Sequence, residues 1–263
     1  MSNPFYEQLF SVKGKVALIT GGTRGIGLMI AEGLVRCGAR VYVSSRKADA
    51  CKETEAELSQ YGSCFALPGD VSTVEGCKAL GDKLREKEDR LDILVNNAGT
   101  TWSLSIDEFH EKAWDKVVDL DMKGPFFLTQ SLMPLLRAAA SEIAPASVIN
   151  ISSINGLRPS GLQNYSYVAA KAGLAQMSVQ MAADLVKENI NVNVIAPGLF
   201  KSKMTAPLFA NEEARKAMLA GIPMGRSGSL ENIAGLVTFL SSEAGNFLSG
   251  VIIPCDGGAS TLK

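Results

Sequence analysis

Short, uninterrupted apolar runs recur along this chain, each followed by a turn signal and then by a stretch with helical spacing. Val16-Ala17-Leu18-Ile19 has no polar position on either face, which predicts a strand covered from both sides. Arg40-Val41-Tyr42-Val43-Ser44, Cys64-Phe65-Ala66-Leu67, Ile93-Leu94-Val95 and Ser147-Val148-Ile149-Asn150-Ile151 read as the next four strands. Val192-Asn193-Val194-Ile195-Ala196 is the sixth, and Val251-Ile252-Ile253-Pro254 is a late seventh. Between them, helices are predicted over Ile26 to Cys37, Ala48 to Tyr61, about Trp114 to Ala140 and about Tyr165 to Lys187, the third bent by Pro125 and Pro134. This alternation predicts an α/β fold: a single Rossmann-type, doubly wound parallel sheet of about seven strands with helices on both faces and right-handed crossovers.

No repeat, low-complexity tract or linker divides the chain, so 1–263 is expected to be one domain. The stretch Leu199 to Gly228 is irregular and is the candidate substrate lid. Met1 to Val12 precede the first strand, and Phe5, Tyr6, Leu9 and Phe10 predict that this segment packs on the surface. At 46% hydrophobic residues the chain can bury a sizeable core, and a net charge of −1 argues against an electrostatic nucleic-acid binder. Five cysteines, odd in number and without a CxxC pair, suit reduced thiols. The single histidine, His110, falls in a polar stretch read as a helix face, which argues against a His-based metal site or a Ser-His-Asp triad. With no leader-like terminus and no apolar run near ~18 residues, a soluble, cytoplasmic protein with no membrane partner is expected.

Ligands of such sheets bind beyond the carboxyl ends of the strands, and the chemistry-bearing residues cluster there. After the first strand comes Gly21-Gly22-Thr23-Arg24-Gly25-Ile26-Gly27, a GxxxGxG loop. Its glycines permit a tight turn and close approach of a pyrophosphate, and the helix that follows offers free N–H groups. The second strand ends Ser44-Ser45-Arg46, with no acid for ribose hydroxyls. Arg46 and Arg24, with Ser45 as a further donor, can face a 2′-phosphate, which points to NADP(H); the plain alternative is that both arginines are merely solvated. Asp70, before Val71, can accept an adenine amino group or simply start a helix. Asn96 and Asn97, beside Ala98 and Gly99, either contact cofactor or stitch their loop to neighbouring strands.

Tyr167 and Lys171 are four residues apart and share a helix face. An ammonium there favours the phenolate, so the phenol can exchange a proton with a substrate oxygen. Ser152 and Ser153 follow the fifth strand, and Ser153 can donate to the same oxygen. Tyr165 is a second phenol, but no lysine follows it at that spacing.

Taken together, TGGTRGIG (20–27), DV (70–71), NNAG (96–99), ISS (151–153), YVAAK (167–171), PG (197–198) and the terminal DGG (256–258) resemble the short-chain dehydrogenase/reductase superfamily from Lys13 to Gly258. Within it, the Ser153–Tyr167 spacing and the string Ala196 to Thr205 look most like the NADPH-dependent 3-oxoacyl reductase branch of rhamnolipid biosynthesis. The resemblance implies that Tyr167 is the acid/base, that Lys171 assists it and binds the nicotinamide ribose, and that Ser153 polarises the carbonyl. It adds Pro197 and Gly198 to the cofactor site and implies a homotetramer in which the long helices after the fourth and fifth strands meet.

One position departs from the family. Asp121 stands where an Asn usually steadies a water of the proton relay through its backbone carbonyl. A backbone role survives the change, and that is the reading taken here, which keeps Asp121 in the catalytic set. A carboxylate cannot donate as an amide does, but it can pair with Lys171 and alter the pH optimum.

The candidate substrate pocket is Thr101, Trp102, Asn155, Leu157, Leu162, Leu199, Phe200, Met204, Pro207, Leu208 and Met218. Being mostly apolar, it favours a small-molecule ketone/alcohol pair of alkyl, aromatic or 3-oxoacyl type; half of these residues packing the lid onto the domain is the plain alternative. The stretch Ala138 to Ser147 lacks the basic residues that reductases of fatty-acid synthesis commonly use to dock an acidic carrier. A sugar-acid or polyol oxidoreductase, with Lys201 and Lys203 meeting a carboxylate, is therefore the main alternative. A non-catalytic dinucleotide sensor is the remote one, since such proteins often lose the Tyr or the Lys that this chain keeps.

Overall fold

The structure, a computed structural model, describes residues 3–201 and 212–261. The strands are β1 (Val16–Thr20), β2 (Arg40–Ser44), β3 (Cys64–Ala66), β4 (Ile93–Asn96), β5 (Ala146–Ile151), β6 (Ile190–Pro197) and β7 (Ile252–Cys255). All neighbours pair in parallel, in the order β3-β2-β1-β4-β5-β6-β7. The helices are α1 (Pro4–Leu9), α2 (Gly25–Arg36), α3 (Ala48–Leu58), α4 (Val74–Arg85), α5 (Glu111–Val118), α6 (Gly124–Ala139), α7 (Tyr165–Leu185), α8 (Glu212–Ala220) and α9 (Leu230–Ser241). Among the described residues no helix is long and apolar enough to cross a membrane.

The unbroken apolar strands follow from burial on both faces. In β1, Ala17 and Ile19 point into one core, shared with Ile30 and Leu34 of α2 and Ile233 and Val237 of α9. Val16 and Leu18 point into the other, with Leu80 and Leu84 of α4, Leu128 and Leu132 of α6 and Met181 of α7. β4 and β5 alternate in the same way: Ile93, Val95, Ile149 and Ile151 face the first core, Leu94 and Val148 the second. Each such side chain contributes ~1.5–3 kcal/mol when fully buried, so a one-residue slip of register would be costly on both faces at once.

Three features differ from the sequence pattern. α4 was not among the expected helices, yet Cys77, Leu80 and Leu84 form a helical stripe and the Thr73 side chain caps the start, accepting from the Gly76 N–H at 3.0 Å. The expected packing of the N-terminal segment is confined to its end: α1 leaves Phe5 and Tyr6 64% and 60% exposed, and Phe10 alone of its aromatics meets the core layer, against Phe239. The helix expected from Trp114 to Ala140 is interrupted by a π-turn at Asp119–Lys123. Pro125 lies in the first turn of α6, where its missing N–H costs nothing, and Pro134 sits inside a helix that continues. The interruption therefore falls just before the proline, and it carries Asp121.

Chain order places the switch point between β1 and β4, because the chain runs outward to β3 before returning to β4. The loops after these two strands are where a doubly wound sheet opens a crevice. Of the expected lid, residues 202–211 lie outside the described residues, and with them the pocket candidates Met204, Pro207 and Leu208 and the alternative's Lys203.

Candidate active site

The glycine loop is shaped by what it touches. Gly21 has φ +64°, and a Cβ there would fall 2.9 Å from Asn97 Nδ2. A Cβ on Gly27 would fall 2.3 Å from the Gly21 carbonyl oxygen and 2.4 Å from Asn97 Nδ2. The turn and the first turn of α2 therefore pack with no room for side chains. No side chain caps α2 and no acid occupies its first turn, so its leading N–H groups stay open to an anion. Thr23, Arg24, Gly25 and Ile26 surround this open end, with Arg24 exposed and Ile26 resting on the core. These features fit a dinucleotide pyrophosphate.

Beside it, β2 ends at the buried Ser44, followed by half-buried Ser45 and exposed Arg46. Ser45 Oγ accepts from the Lys47 N–H at 3.2 Å and lies 3.4 Å from Cys51 Sγ, so it is partly committed to its own turn. Arg24 and Arg46 form no hydrogen bond or ion pair among the described residues, which leaves two guanidiniums for a 2′-phosphate. Asp70 uses Oδ1 to hold its turn, accepting from the Ser72 N–H (3.0 Å) and Oγ–H (2.7 Å), while its other oxygen makes no hydrogen bond among the described residues. Val71 is buried against α6, and its carbonyl would meet a Cβ on Gly124 at 2.3 Å.

The asparagines after β4 stitch. Asn97 Nδ2 donates to the carbonyls of Thr20 (2.9 Å) and Gly21 (3.2 Å), and Thr20 Oγ1 accepts from the N–H groups of Asn97 and Ala98, both at 3.0 Å. Asn96 Nδ2 donates to Asn150 Oδ1 (2.8 Å) and Thr129 Oγ1 (3.2 Å), and Asn150 in turn donates to Ser178 Oγ (2.8 Å). This buried network, which the sequence reading did not single out beyond Asn96, ties β4 and β5 to α6 and α7.

α7 brings Tyr167 and Lys171 to the carboxyl end of β5. Lys171 Nζ donates to the Ile151 carbonyl at 2.9 Å and lies 3.2 Å from Asp121 Oδ2, with the two side chains 5% and 0% exposed. It sits 5.7 Å from the centroid of the Tyr167 ring. Asp121 Oδ1 accepts the Thr100 N–H at 2.8 Å. Gly99 closes the pair: a Cβ there would be 2.9 Å from Asp121 Oδ2 and 3.4 Å from Lys171 Nζ. Burial opposes charge on Lys171, but Asp121 and then Tyr167 more than offset it and hold the ammonium above the ordinary lysine range. Burial likewise raises the Asp121 carboxyl above the carboxylate range, against the pull of Lys171 and the Thr100 N–H. An ionised pair is the arrangement consistent with the packing, because a neutral acid would leave the Lys171 charge buried without compensation.

The two serines separate by role. Ser152 Oγ donates to the Lys171 carbonyl at 2.8 Å and is spent on fastening β5 to α7. Ser153 Oγ accepts the Asn155 N–H at 3.1 Å, which leaves its own proton for another acceptor. Tyr167 is half-buried. Tyr165 instead packs edge-on against Phe109 at 5.6 Å.

Around this centre, Thr101 Oγ1 is buried without a hydrogen-bond partner among the described residues, and Trp102 is flanked by His110 and by Lys116 Nζ, 4.7 Å from its ring centroid. Leu157 and Leu162 are exposed, Met218 is half-buried, and Leu199 packs with Ile154, Leu219 and Ile222. Two expectations need correction. Phe200, 3% exposed, belongs to the core with Ile195 and Ile233, its ring pressed on Gly228, and does not line the pocket. His110 is not on a helix face: it caps α5, its Nδ1 accepting the Ala113 N–H at 3.1 Å. Pro197 ends β6, and Gly198 abuts Asp256 of the DGG turn, with no room for a Cβ. The five cysteines are all unpaired. The sequence reading missed the Thr100 N–H and the Ile151 carbonyl, because backbone groups leave no signature in residue identity.

Comparison with known proteins agrees with this geometry. A family model described as enoyl-(acyl carrier protein) reductase matches residues 21–260. The rhamnolipids biosynthesis 3-oxoacyl-[acyl-carrier-protein] reductase of Pseudomonas aeruginosa is 48% identical over 249 residues, covering 95% of this chain and 97% of that one. The solved RhlG/NADP active-site complex of Pseudomonas aeruginosa superposes with a TM-score of 0.94 at 47% identity, covering 96% of this chain and 99% of that chain. A 2-dehydro-3-deoxy-D-gluconate 5-dehydrogenase of Escherichia coli is 36% identical over 253 residues, or 95% of this chain and 96% of that one. A seven-stranded parallel sheet, an open glycine-rich helix start and a Tyr-Lys helix docked on β5 thus coincide with similarity along nearly the whole length, and the chain belongs to the short-chain dehydrogenase/reductase superfamily.

Proposed function

We propose that this protein is an NADP(H)-dependent oxidoreductase that interconverts a ketone and a secondary alcohol, and that its substrate is hydrophobic and of 3-oxoacyl type. The observation that carries the reading is a buried, charged Lys171 fastened at the end of β5 with the Tyr167 ring beside it, next to an open dinucleotide cradle. Ser153, in the turn just after β5, keeps its proton free. When bound, NADPH supplies the hydride that no side chain can supply. Ser153 donates to the carbonyl oxygen and makes its carbon more electrophilic, and Tyr167 gives that oxygen a proton as negative charge develops on it. Lys171 favours the phenolate that remains. Arg24, Arg46 and Ser45 hold the 2′-phosphate. Gly21 to Gly27 cradle the pyrophosphate, and Asp70, Val71, Asn97, Ala98, Gly99, Pro197 and Gly198 frame the rest of the cofactor.

The apolar residues Leu157 and Leu162, both exposed, half-buried Met218, and Leu199 beside Ile154 support a hydrophobic substrate. So does the 3-oxoacyl reductase named above. A sugar acid is the second reading, supported by exposed Lys201 just past β6 and by the gluconate-type relative. One assay separates them. NADPH oxidation should be fast with a hydrophobic 3-oxo ester, slow with a keto sugar acid, and much weaker with NADH in place of NADPH. The reverse preference between the two carbonyls would replace the first reading by the second.

The same reading makes 1–263 one domain with residues 199–228 as a substrate lid, in a cytoplasmic homotetramer with no nucleic-acid or membrane partner. Exposed Trp114 on α5 and Phe126 on α6 support an interface on the helices after β4.

A further inference from the structure

Asp121 is an acid, fully buried and 3.2 Å from the Lys171 ammonium. We propose that Asp121 is a positioning residue that cancels the Lys171 charge toward Tyr167 and thereby sets the pH range in which the Tyr167 proton moves. The inference rests on the assignment of Tyr167 and Lys171 above and deepens it.

Lys171 Nζ is held from two directions, by the Ile151 carbonyl at the end of β5 and by Asp121 on the π-turn. The carboxylate itself cannot swing away, because Thr100 in the loop after β4 donates its N–H to Oδ1 and Gly99 leaves no space above the pair. The charged or titratable groups that act on Lys171 are Asp121 and, on its own helix, Tyr167. The other charges of the π-turn, Asp119 and Lys123, pair with each other at 3.1 Å on its exposed side. Next to a lone ammonium, Tyr167 would lose its proton readily; next to an ammonium already matched by a carboxylate it loses it less readily. The carboxylate also keeps Lys171 charged to higher pH. The first effect keeps Tyr167 a proton donor as pH rises, which suits carbonyl reduction. It outweighs the second, which by itself favours the phenolate, because the matched pair presents no net charge to the phenol.

The test is kcat/KM against pH for wild type and Asp121→Asn, with NADPH and a hydrophobic 3-oxo ester, and with NADP and the matching 3-hydroxy ester. In the variant, both the fall of reduction and the rise of oxidation should move to lower pH by about one unit, the smaller end of the effect of a charge in contact. A role in packing alone would lower the rate and leave the limbs in place. Unmoved limbs in a folded variant that binds NADPH overturn the proposal. If Asp121→Asn does not fold, Asp121→Ser carries the same test.

A measurement on wild type needs neither variant nor turnover. Followed by NMR, the Lys171 side chain should stay an ammonium beyond the ordinary lysine value of 10.5. Release of its proton below that value overturns the proposal. Failure of the underlying reading would look different: Tyr167→Phe would keep its turnover.

Discussion

The two halves of the sheet build their parts of the site by opposite means. On the β1–β3 side the cradle consists of missing atoms: Gly21 and Gly27 approach each other and Asn97 so closely that no side chain fits, and the functional groups are backbone N–H donors. On the β4–β6 side the centre consists of particular side chains, with a buried Asp121–Lys171 pair, Ser153 and Tyr167. A site made of shape is damaged by adding atoms, whereas a site made of charge is damaged by removing them. The first damage should appear in cofactor binding and the second in rate, pH dependence and stability.

The largest expected effect is on the charged side. Lys171→Met strands Asp121 in the interior, and loss of one partner of a buried pair costs about 3–5 kcal/mol, read by urea denaturation near neutral pH. The sign with pH follows from the acid left behind. Its folded-state carboxyl is already raised above its ordinary value of 3.8 and would rise further without its cation. The deficit should therefore be small below the unfolded carboxyl value and grow as pH rises through the carboxylate range. Adding Asp121→Asn should restore most of the stability. A Lys171→Met variant as stable as wild type at every pH would mean that Asp121 and Lys171 are not an ionised pair.

Gly27→Ala sharpens the other half of the comparison. Its methyl would meet the Gly21 carbonyl at 2.3 Å, and such overpacking costs about 1–3 kcal/mol. NADPH binding, followed by fluorescence titration, should weaken more than stability does. An unchanged dissociation constant would show that the cradle is looser than its packing implies.

The smallest effect concerns the 2′-phosphate. Arg46 is exposed and unpaired among the described residues, so Arg46→Ala should raise the NADPH dissociation constant about tenfold, the lower end for a charged hydrogen bond. NADH binding should hardly change. Equal weakening of both cofactors would assign Arg46 to a part that the two share.

The same division explains how much was legible in the chain. The strand cores of β1, β2, β4 and β5 could be read because burial on both faces leaves no polar position to confuse the pattern. The cradle and the Tyr167/Lys171 spacing could be read because their chemistry depends on residue type and separation. α4 was harder, since Gly76 and Gly81 interrupt a helix otherwise marked by Thr73, Cys77, Leu80 and Leu84. The π-turn could not be read from its prolines, because the extra residue falls ahead of Pro125 and outside any proline rule. Phe200 looked like a pocket residue because an aromatic after a strand end suits a cleft and a core equally well. The Asp121–Lys171 pairing was visible as a possibility, but its closure by Thr100 and Gly99 depends on a loop 21 residues before Asp121 in the chain, and only three-dimensional packing reveals it.

The central claim is that the cofactor's phosphates are held on the β1–β3 side while the proton moves on the β4–β6 side, and Tyr167→Phe tests it most directly. NADPH binding and single-turnover reduction of a hydrophobic 3-oxo ester should be measured on the same preparation of wild type and variant. Removing one hydroxyl should leave the NADPH dissociation constant within a few-fold of wild type. The reduction step should slow by about a hundredfold or more, the usual contribution of a positioned acid. Turnover near the wild-type rate, or NADPH binding lost together with turnover, would contradict the account.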